Sequence, residues 1–205
     1  MTKTVENYRA DIRTILGDET GRRYSDSMID MGLREALSAY RTFCPRKETV
    51  KQRVSAVEGV SVVLPGFLDP GIEVLTARNE SGYWLEFGEY RTEEKVYLNC
   101  YGMENLPVAG ELLTLELSCP HFIKGLDKAD RTTVPDLHAL TVCIGAAGYS
   151  MRIRARSVTE VFGKRPEDRE ALSSQANRLI GDFTRDLRDN QPASQDPLPR
   201  GGFEI

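Results

Sequence analysis

RTTVPDLHALTVCIGAAGYSMRIRAR, residues 131–156, is the stretch that decides the fold. Thr133, Pro135 and Asp136 are typical of a helix start, because they supply a cap, a first-turn proline and a negative charge at the positive end of the helix dipole. Leu137–Met151 is apolar or small on nearly every side, which predicts burial on several sides. This run is shorter than the roughly 20 residues that span a bilayer. The pattern therefore predicts a central packing helix.

Small residues and a basic end distinguish this helix. Gly145 to Gly148 reads GAAG, which favours close approach of neighbouring backbones over a phosphate-binding glycine loop. The basic cluster at and beyond the helix end comprises Arg152, Arg154, Arg156, Lys164 and Arg165. Three interpretations of the cluster stay open: contact with phosphates such as those of DNA, an interface with an acidic neighbouring subunit, and a solvated face.

The flanking segments predict further helices and a β region. Three- and four-residue spacing predicts a helix from Val5 to a stop at Gly17, a second from Ser25 or Asp26 to before Pro45, and an amphipathic helix over 172–187. Strand-like runs bounded by turn residues lie at 48–64, 72–77, 83–87, 95–101 and 111–117. No helices separate these strands, so the pattern predicts one small antiparallel sheet. Residues 119–130 are expected to form the return loop.

The predicted fold is α+β: a bundle of about four helices with an inserted small antiparallel β-sheet subdomain and a flexible C-terminal tail. Its expected segments are the N-terminal helices (1–47), the β subdomain (48–118), the loop and C-terminal helices (119–189) and the arm (190–205). The arm is too poor in apolar residues to order itself. Its end, which either adds as a strand to another protein's sheet or is a frayed terminus, comprises Leu198, Pro199, Arg200, Gly201, Gly202, Phe203, Glu204 and Ile205.

Composition and charge exclude several classes of protein. The chain has 205 residues and a net charge of −4, which argues against a dedicated nucleic-acid binder. No run suits a membrane span or a signal peptide. Its four cysteines are scattered without a CxxC pair, so we expect reduced thiols in a cytosolic setting.

The candidate chemical groups predict no catalytic, cofactor or metal site, and we expect no enzyme. Ser150 and Ser157 lack the G-x-S-x-G context of a hydrolase. Zinc-ligand spacing is absent from the set Cys119, His121, Asp127, Asp130 and His138. A charged hairpin edge is favoured over a paired-carboxylate site for Glu86, Glu89, Glu93 and Glu94.

The order of elements resembles that of tailed-bacteriophage head–tail connector (adaptor, or head-completion) proteins. The resemblance rests on YSDSMIDMGLREALSAYRTFCPR, on the VVLPGF entry to the β insertion, and on CPHFIKGLDKADRTTVPDLHALTVCIGAAGYSMRIRA. It implies a helical bundle, a homo-oligomeric ring of about twelve copies beneath the portal, and transient passage of DNA through the bore. It also implies portal and next neck or tail proteins as partners, no membrane, and a place in the virion neck after assembly in the host cytoplasm. The β insertion is larger than that of minimal helical adaptors.

Two other classes of function remain as alternatives. One is a virion-associated hydrolase that uses carboxylates from the sheet, although no clustered base, nucleophile and orienting group supports it. The other is a binding module whose β insertion grips a peptide or a glycan.

Overall fold

The structure, a computed structural model, describes residues 3–65, 71–92, 94–101, 106–158 and 166–189. Within these ranges the chain is an α+β protein with four α-helices and two small antiparallel sheets. It divides into a helical unit, Met1–Cys44 with His121–Ile205, and a β unit, Pro45–Pro120. No helix in the described ranges has both the length and the apolar character required to cross a membrane.

The helical unit is built from both ends of the chain. The side chain of Ser25 caps the second helix by accepting a hydrogen bond from the Met28 N–H at 3.2 Å, while Gly17 follows the first helix with φ of 58°. Both helix limits agree with the sequence prediction. The helices are α1 (Val5–Ile15), α2 (Asp26–Phe43), α3 (Ala139–Val158) and α4 (Pro166–Asp189).

Helix α3 packs against α1, α2 and α4. The prediction of close backbone approach is confirmed at Gly148, while Gly145 is approached by a side chain. A Cβ atom added to Gly148 would lie 3.1 Å from the Ala176 carbonyl oxygen of α4, and one added to Gly145 would lie 2.8 Å from the Phe183 ring. The side chains of α3 that are almost fully buried are those of Ala139, Val142, Cys143, Ala146, Ala147, Ser150, Met151 and Ala155.

The start of α3 differs from the prediction in two ways. Thr133 does not cap the helix, because its hydroxyl accepts a hydrogen bond from the Phe122 N–H at 2.8 Å. A 3₁₀ turn at Asp136–His138 precedes α3 instead. The prediction that this end is buried is also wrong, since Leu137 and Leu140 are 85% and 62% exposed. The buried part of the helix begins at Ala139 and follows the small residues, not every apolar one.

The described residues of the β unit form two four-stranded sheets, not the single sheet that the sequence predicts. The strand order is β1-β8-β4-β5 in the first sheet and β2-β3-β7-β6 in the second. Two sheets can bury their apolar faces against each other. A single open sheet of eight strands would have no second sheet to cover its apolar face. The strands are β1 (Arg46–Arg53), β2 (Ala56–Glu58), β3 (Ser61–Pro65), β4 (Glu73–Arg78), β5 (Trp84–Leu85), β6 (Phe87–Arg91), β7 (Lys95–Cys100) and β8 (Leu112–Cys119).

Alternation along the strands fixes which side chains face this core. In β8, Leu113, Leu115 and Leu117 are buried, and they belong to one apolar cluster with Val62 and Leu98 of the second sheet. The intervening residues of β8 as far as Glu116 are less buried. Apolar and polar residues alternate in the same way in the sequence of this strand, LLTLEL at 112–117, and the outer face of the first sheet is left for polar residues.

Candidate functional site

The arginines predicted at the end of α3 are held by aromatic rings and by a backbone carbonyl group. Arg154 lies with its guanidinium carbon 4.8 Å from the centre of the Tyr24 ring and donates a hydrogen bond to the Arg23 carbonyl oxygen at 2.9 Å. Arg152 lies 5.4 Å from the centre of the Tyr149 ring. Arg156 is exposed. The other two predicted members, Lys164 and Arg165, lie outside the described residues, as does the predicted docking arm 198–205.

The loop between α1 and α2 is organised by a buried carboxylate. Asp18 is only 3% exposed, and its oxygens accept hydrogen bonds from the backbone N–H groups of Arg22, Arg23 and Tyr24 at 2.8–3.1 Å. Burial opposes ionisation, but the N–H groups of Tyr24, Arg23 and Arg22 outweigh it and hold the pKa of Asp18 below its ordinary value. An ionised Asp18 therefore fixes the loop that carries two adjacent arginines.

These two features meet at the contact between Arg154 and Arg23, and we define Arg22, Arg23 and Arg154 as the basic patch. Arg152 and Arg156 are each two residues from Arg154 in α3, and residues two apart do not share a face of a helix. The guanidinium group of Arg23 donates to the carbonyl oxygens of Leu16 and Gly17, while the carbonyl oxygen of Arg23 accepts from Arg154. The sequence prediction missed Arg22 and Arg23. Their only signal was an adjacent arginine pair in a polar loop, and its link to a helix more than 100 residues later depends on the tertiary fold.

The patch has the chemistry of an anion-binding surface. A guanidinium group has five N–H donors, so Arg23 and Arg154 keep donors beyond those used on carbonyl oxygens. The Nε of Arg23 also lies 3.8 Å from an Asp18 carboxylate oxygen, an ion pair that balances part of its charge. Groups already held in place lose less conformational freedom on binding a carboxylate or a phosphate. The geometry suits either anion and does not distinguish an acidic protein from a nucleic acid.

The two histidines considered for zinc have other partners. Nε2 of His121 lies 2.8 Å from the Cys44 carbonyl oxygen, and Nδ1 of His138 lies 2.5 Å from the Tyr40 hydroxyl oxygen. Among the described residues, no group of three or more His, Cys, Asp or Glu could hold a metal ion. The histidines instead flank the ring of Tyr40, at centroid distances of 4.8 and 5.6 Å.

A salt bridge accounts for Asp127, the first of the two aspartates in the GLDKAD segment at 125–130. The guanidinium group of Arg34 donates three hydrogen bonds of 2.6–3.1 Å to the Asp127 carboxylate. These bonds hold the pKa of Asp127 below its ordinary value. Asp127 has φ of 51°, an uncommon conformation for a residue other than glycine, and the salt bridge ties this turn to α2.

The structure also gives the surroundings of the two serines considered as nucleophiles and of the glutamates considered as a paired-carboxylate site. Ser150 is fully buried and its hydroxyl lies 3.4 Å from the Met28 carbonyl oxygen, whereas the Ser157 hydroxyl donates to the Arg154 carbonyl oxygen at 2.9 Å. The Glu89 carboxylate accepts hydrogen bonds from Arg91 and from the Val74 N–H. Glu86 and Glu94 are exposed, and Glu93 lies outside the described residues.

The thiol groups are poorly suited to nucleophilic chemistry where their pKa is shifted. Burial raises the pKa of Cys143 to about 12 and also raises the pKa of Cys100. Burial raises the pKa of Cys44 as well, against the opposing hydrogen bond of Tyr40. A raised pKa keeps a thiol protonated, and the thiolate is the reactive form.

Comparison of the chain with models of known protein families and with curated proteins finds no match.

Proposed function

We propose that this chain is a subunit of a tailed-bacteriophage head–tail connector. Copies would form a ring, of about twelve, between the portal protein and the next neck or tail protein, and DNA would pass through its bore. In this proposal the helical unit is a bundle that serves as the rigid wedge of the ring. The assembled protein resides in the virion neck, and the ring is built in the host cytoplasm.

The observation that carries the proposal is the tight packing of α3 inside a helical unit assembled from both chain ends. Gly32 of α2 and Gly148 of α3 lie so close to the neighbouring helix that a single added carbon would contact its backbone. Interfaces of this kind resist sliding, because close-packed interiors do not deform continuously. A ring subunit requires such a wedge, since small changes of its angle would prevent closure.

The basic patch supplies a second line of support. Its fixed arginines are suited to an acidic surface on the neighbouring copy, and they are equally suited to the DNA in the bore. The net charge of −4 shows that the chain has more acidic than basic residues to offer a neighbour. Either contact would use the same guanidinium groups.

The arm adds the proposed portal contact. In the proposal, residues 198–205 order as a strand on the portal, and Phe203 and Ile205 fill pockets there. One arm would bind weakly because ordering about ten residues costs on the order of 10 kcal/mol of backbone entropy. A ring presents many arms at once, which raises their effective concentration after the first contact.

Light scattering after size-exclusion chromatography, with electron microscopy of the protein alone and with its cognate portal, tests the function. We expect a ring, either of the free protein or only with the portal. Charge reversal in the patch by Arg23→Glu with Arg154→Glu should impair the ring, whereas Arg178→Glu on the exposed side of α4 should not. A protein that stays monomeric with the portal refutes the proposal, as does one whose stable monomer binds a peptide or a saccharide or hydrolyses a substrate.

A further inference from the structure

The outer face of the first sheet carries a row of cations beside the chain's single tryptophan. Alternation along β1 places Lys51 and Arg53 on this face, while Val50 packs toward the core. Antiparallel register then pairs Lys51 with Thr114, Thr114 with Arg78 and Arg78 with Trp84. We call Lys51, Thr114, Arg78 and Trp84 the Lys51–Trp84 row. It crosses all four strands, a distance of about 14 Å at ordinary strand spacing.

The aromatic end of the row is exposed and already carries a stacked cation. The guanidinium carbon of Arg78 lies 3.8 Å from the centre of the Trp84 ring. Trp84 nevertheless remains 59% exposed, and neighbouring Tyr83 is 56% exposed. The Arg78 contact is a cation–π interaction, which holds the guanidinium group beside a large apolar surface that water still reaches.

Acidic residues border the row on both sides, and their carboxylates have other partners. Glu116 lies in the next row of the face, opposite Thr49 and Thr76, and its carboxylate forms an ion pair with Lys47 at 2.9 Å. On the other side of the row, the Glu80 carboxylate accepts a hydrogen bond from the Leu112 N–H at 3.1 Å. Within the described part of the chain, Lys51, Arg53 and Arg78 form no ion pair, while Arg53 donates a hydrogen bond to the Gly110 carbonyl oxygen. Residues 45–120 contain five more acidic than basic residues, so the row places Lys51 and Arg78 close together within an acidic unit.

Protection of an edge strand explains only part of this arrangement. Lysines on an edge strand such as β1 discourage pairing with another sheet, which accounts for Lys51. Protection of the edge strand does not account for Trp84, because an exposed tryptophan favours association with another molecule. A protein partner would require an apolar centre, and the centre of this row is Thr114 between two cations. Cations, a hydroxyl group and an exposed aromatic ring are instead the groups that bind phosphates and stack on bases.

We propose that the Lys51–Trp84 row, with Arg53 beside it, binds single-stranded nucleic acid. Lys51, Arg53 and Arg78 contact phosphates, and Trp84 stacks against an unpaired base. The proposal is independent of the connector function, because it concerns a face of the β unit that the basic patch does not include. A base face is available only where the strand is unpaired, so single strands should bind more tightly than duplexes.

Trp84 itself reports the binding, because it is the only tryptophan in the chain. We expect an oligothymidylate of twenty nucleotides, added to the full chain at low salt, to quench its fluorescence to saturation. A duplex of equal phosphate content and polyglutamate should bind at least tenfold more weakly. Absence of quenching, or equal binding of the oligothymidylate and polyglutamate, overturns the proposal. Equal binding of the single strand and the duplex overturns it too.

Variants locate the site by a second measurement, the fluorescence anisotropy of a labelled oligonucleotide. Lys51→Ala with Arg78→Ala should weaken binding at least tenfold and reduce the salt dependence by about one unit of log–log slope per lost phosphate contact. Lys95→Ala, an exposed lysine on the second sheet, is the matched control and should bind like the wild type. An equal loss in the control would show non-specific attraction and overturn the assignment. Failure of the double variant to fold leaves the wild-type quenching experiment as the deciding measurement.

Discussion

Gly32 offers the sharpest test of the packing of α3. It lies in α2, where an added Cβ atom would meet the Ser150 side chain and would come within 2.6 Å of the Ala146 carbonyl oxygen and 3.0 Å of the Ser150 backbone nitrogen. Two of these atoms belong to the backbone of α3, so no rotamer change can make room. The substitution Gly32→Ala must therefore separate the two helices.

Two opposing contributions determine how much Gly32→Ala lowers the free energy of unfolding. Overpacking of a close-packed core costs typically 1–3 kcal/mol, and we take about 3 kcal/mol because the obstacle is backbone. Alanine regains about 1 kcal/mol of helix propensity over glycine. The net loss of about 2 kcal/mol should lower the melting temperature of a chain of this size by roughly 4–8 °C. Circular dichroism or differential scanning calorimetry measures it.

Gly181 provides the matched control. It lies in the same helical unit, in α4, but an added Cβ atom would have no neighbour within 4 Å. Gly181→Ala should therefore gain only the helix propensity of alanine over glycine, and it should raise the melting temperature by about 2–4 °C. If Gly32→Ala melts at or above the wild-type temperature, α2 and α3 are not in close contact. The helical unit would then lack the rigid packing on which the proposed ring depends.

Four further outcomes are expected. Gly148→Leu should cost roughly 1–3 kcal/mol because Ile180 and the α4 backbone occupy the space, and an unchanged melting temperature would show an open face. Asp18→Asn should lose about 2 kcal/mol in urea unfolding at pH 7. Because the folded-state pKa of Asp18 lies below its ordinary value, this difference should shrink as the pH falls below about 4, and a constant difference would contradict the role of the charge. Removal of residues 198–205 should leave the melting temperature unchanged but reduce co-sedimentation with portal-bearing capsids at least tenfold, and full attachment would place docking elsewhere. EDTA should change neither circular dichroism nor melting, and stoichiometric zinc in elemental analysis would contradict this.

The helices could be predicted because their signals are local. Ser25 caps α2 and Gly17 follows α1, as the sequence indicates, and the spacing of apolar residues identifies the buried sides. Thr133 failed as a predicted cap because its hydroxyl has a competing donor in the Phe122 N–H. That donor comes from a segment eleven residues earlier, and no local pattern reveals it.

The division of the strands between sheets could not be predicted for a related reason. β1 pairs with β8, so Arg46 lies opposite Cys119, and the strands between them are shared between two sheets. Strand propensity identifies the segments but says little about partners, because pairing depends on packing across the whole unit. The alternation of apolar and polar residues in β8 is visible in the sequence, whereas the predicted number of sheets is wrong.

Both positive surfaces of this acidic chain depend on such distant pairing. Arg154 meets Arg23 across 131 residues of sequence, and Lys51 is aligned with Trp84 only through the register of β8 and β4. Net charge governs long-range repulsion, whereas local binding depends on how charges are sorted by the fold. A net charge of −4 therefore describes the chain as a whole and does not exclude nucleic-acid binding by one of its faces. A surface of like charges costs stability through mutual repulsion, and the Lys51–Trp84 row lessens that cost by placing Thr114 between its two cations.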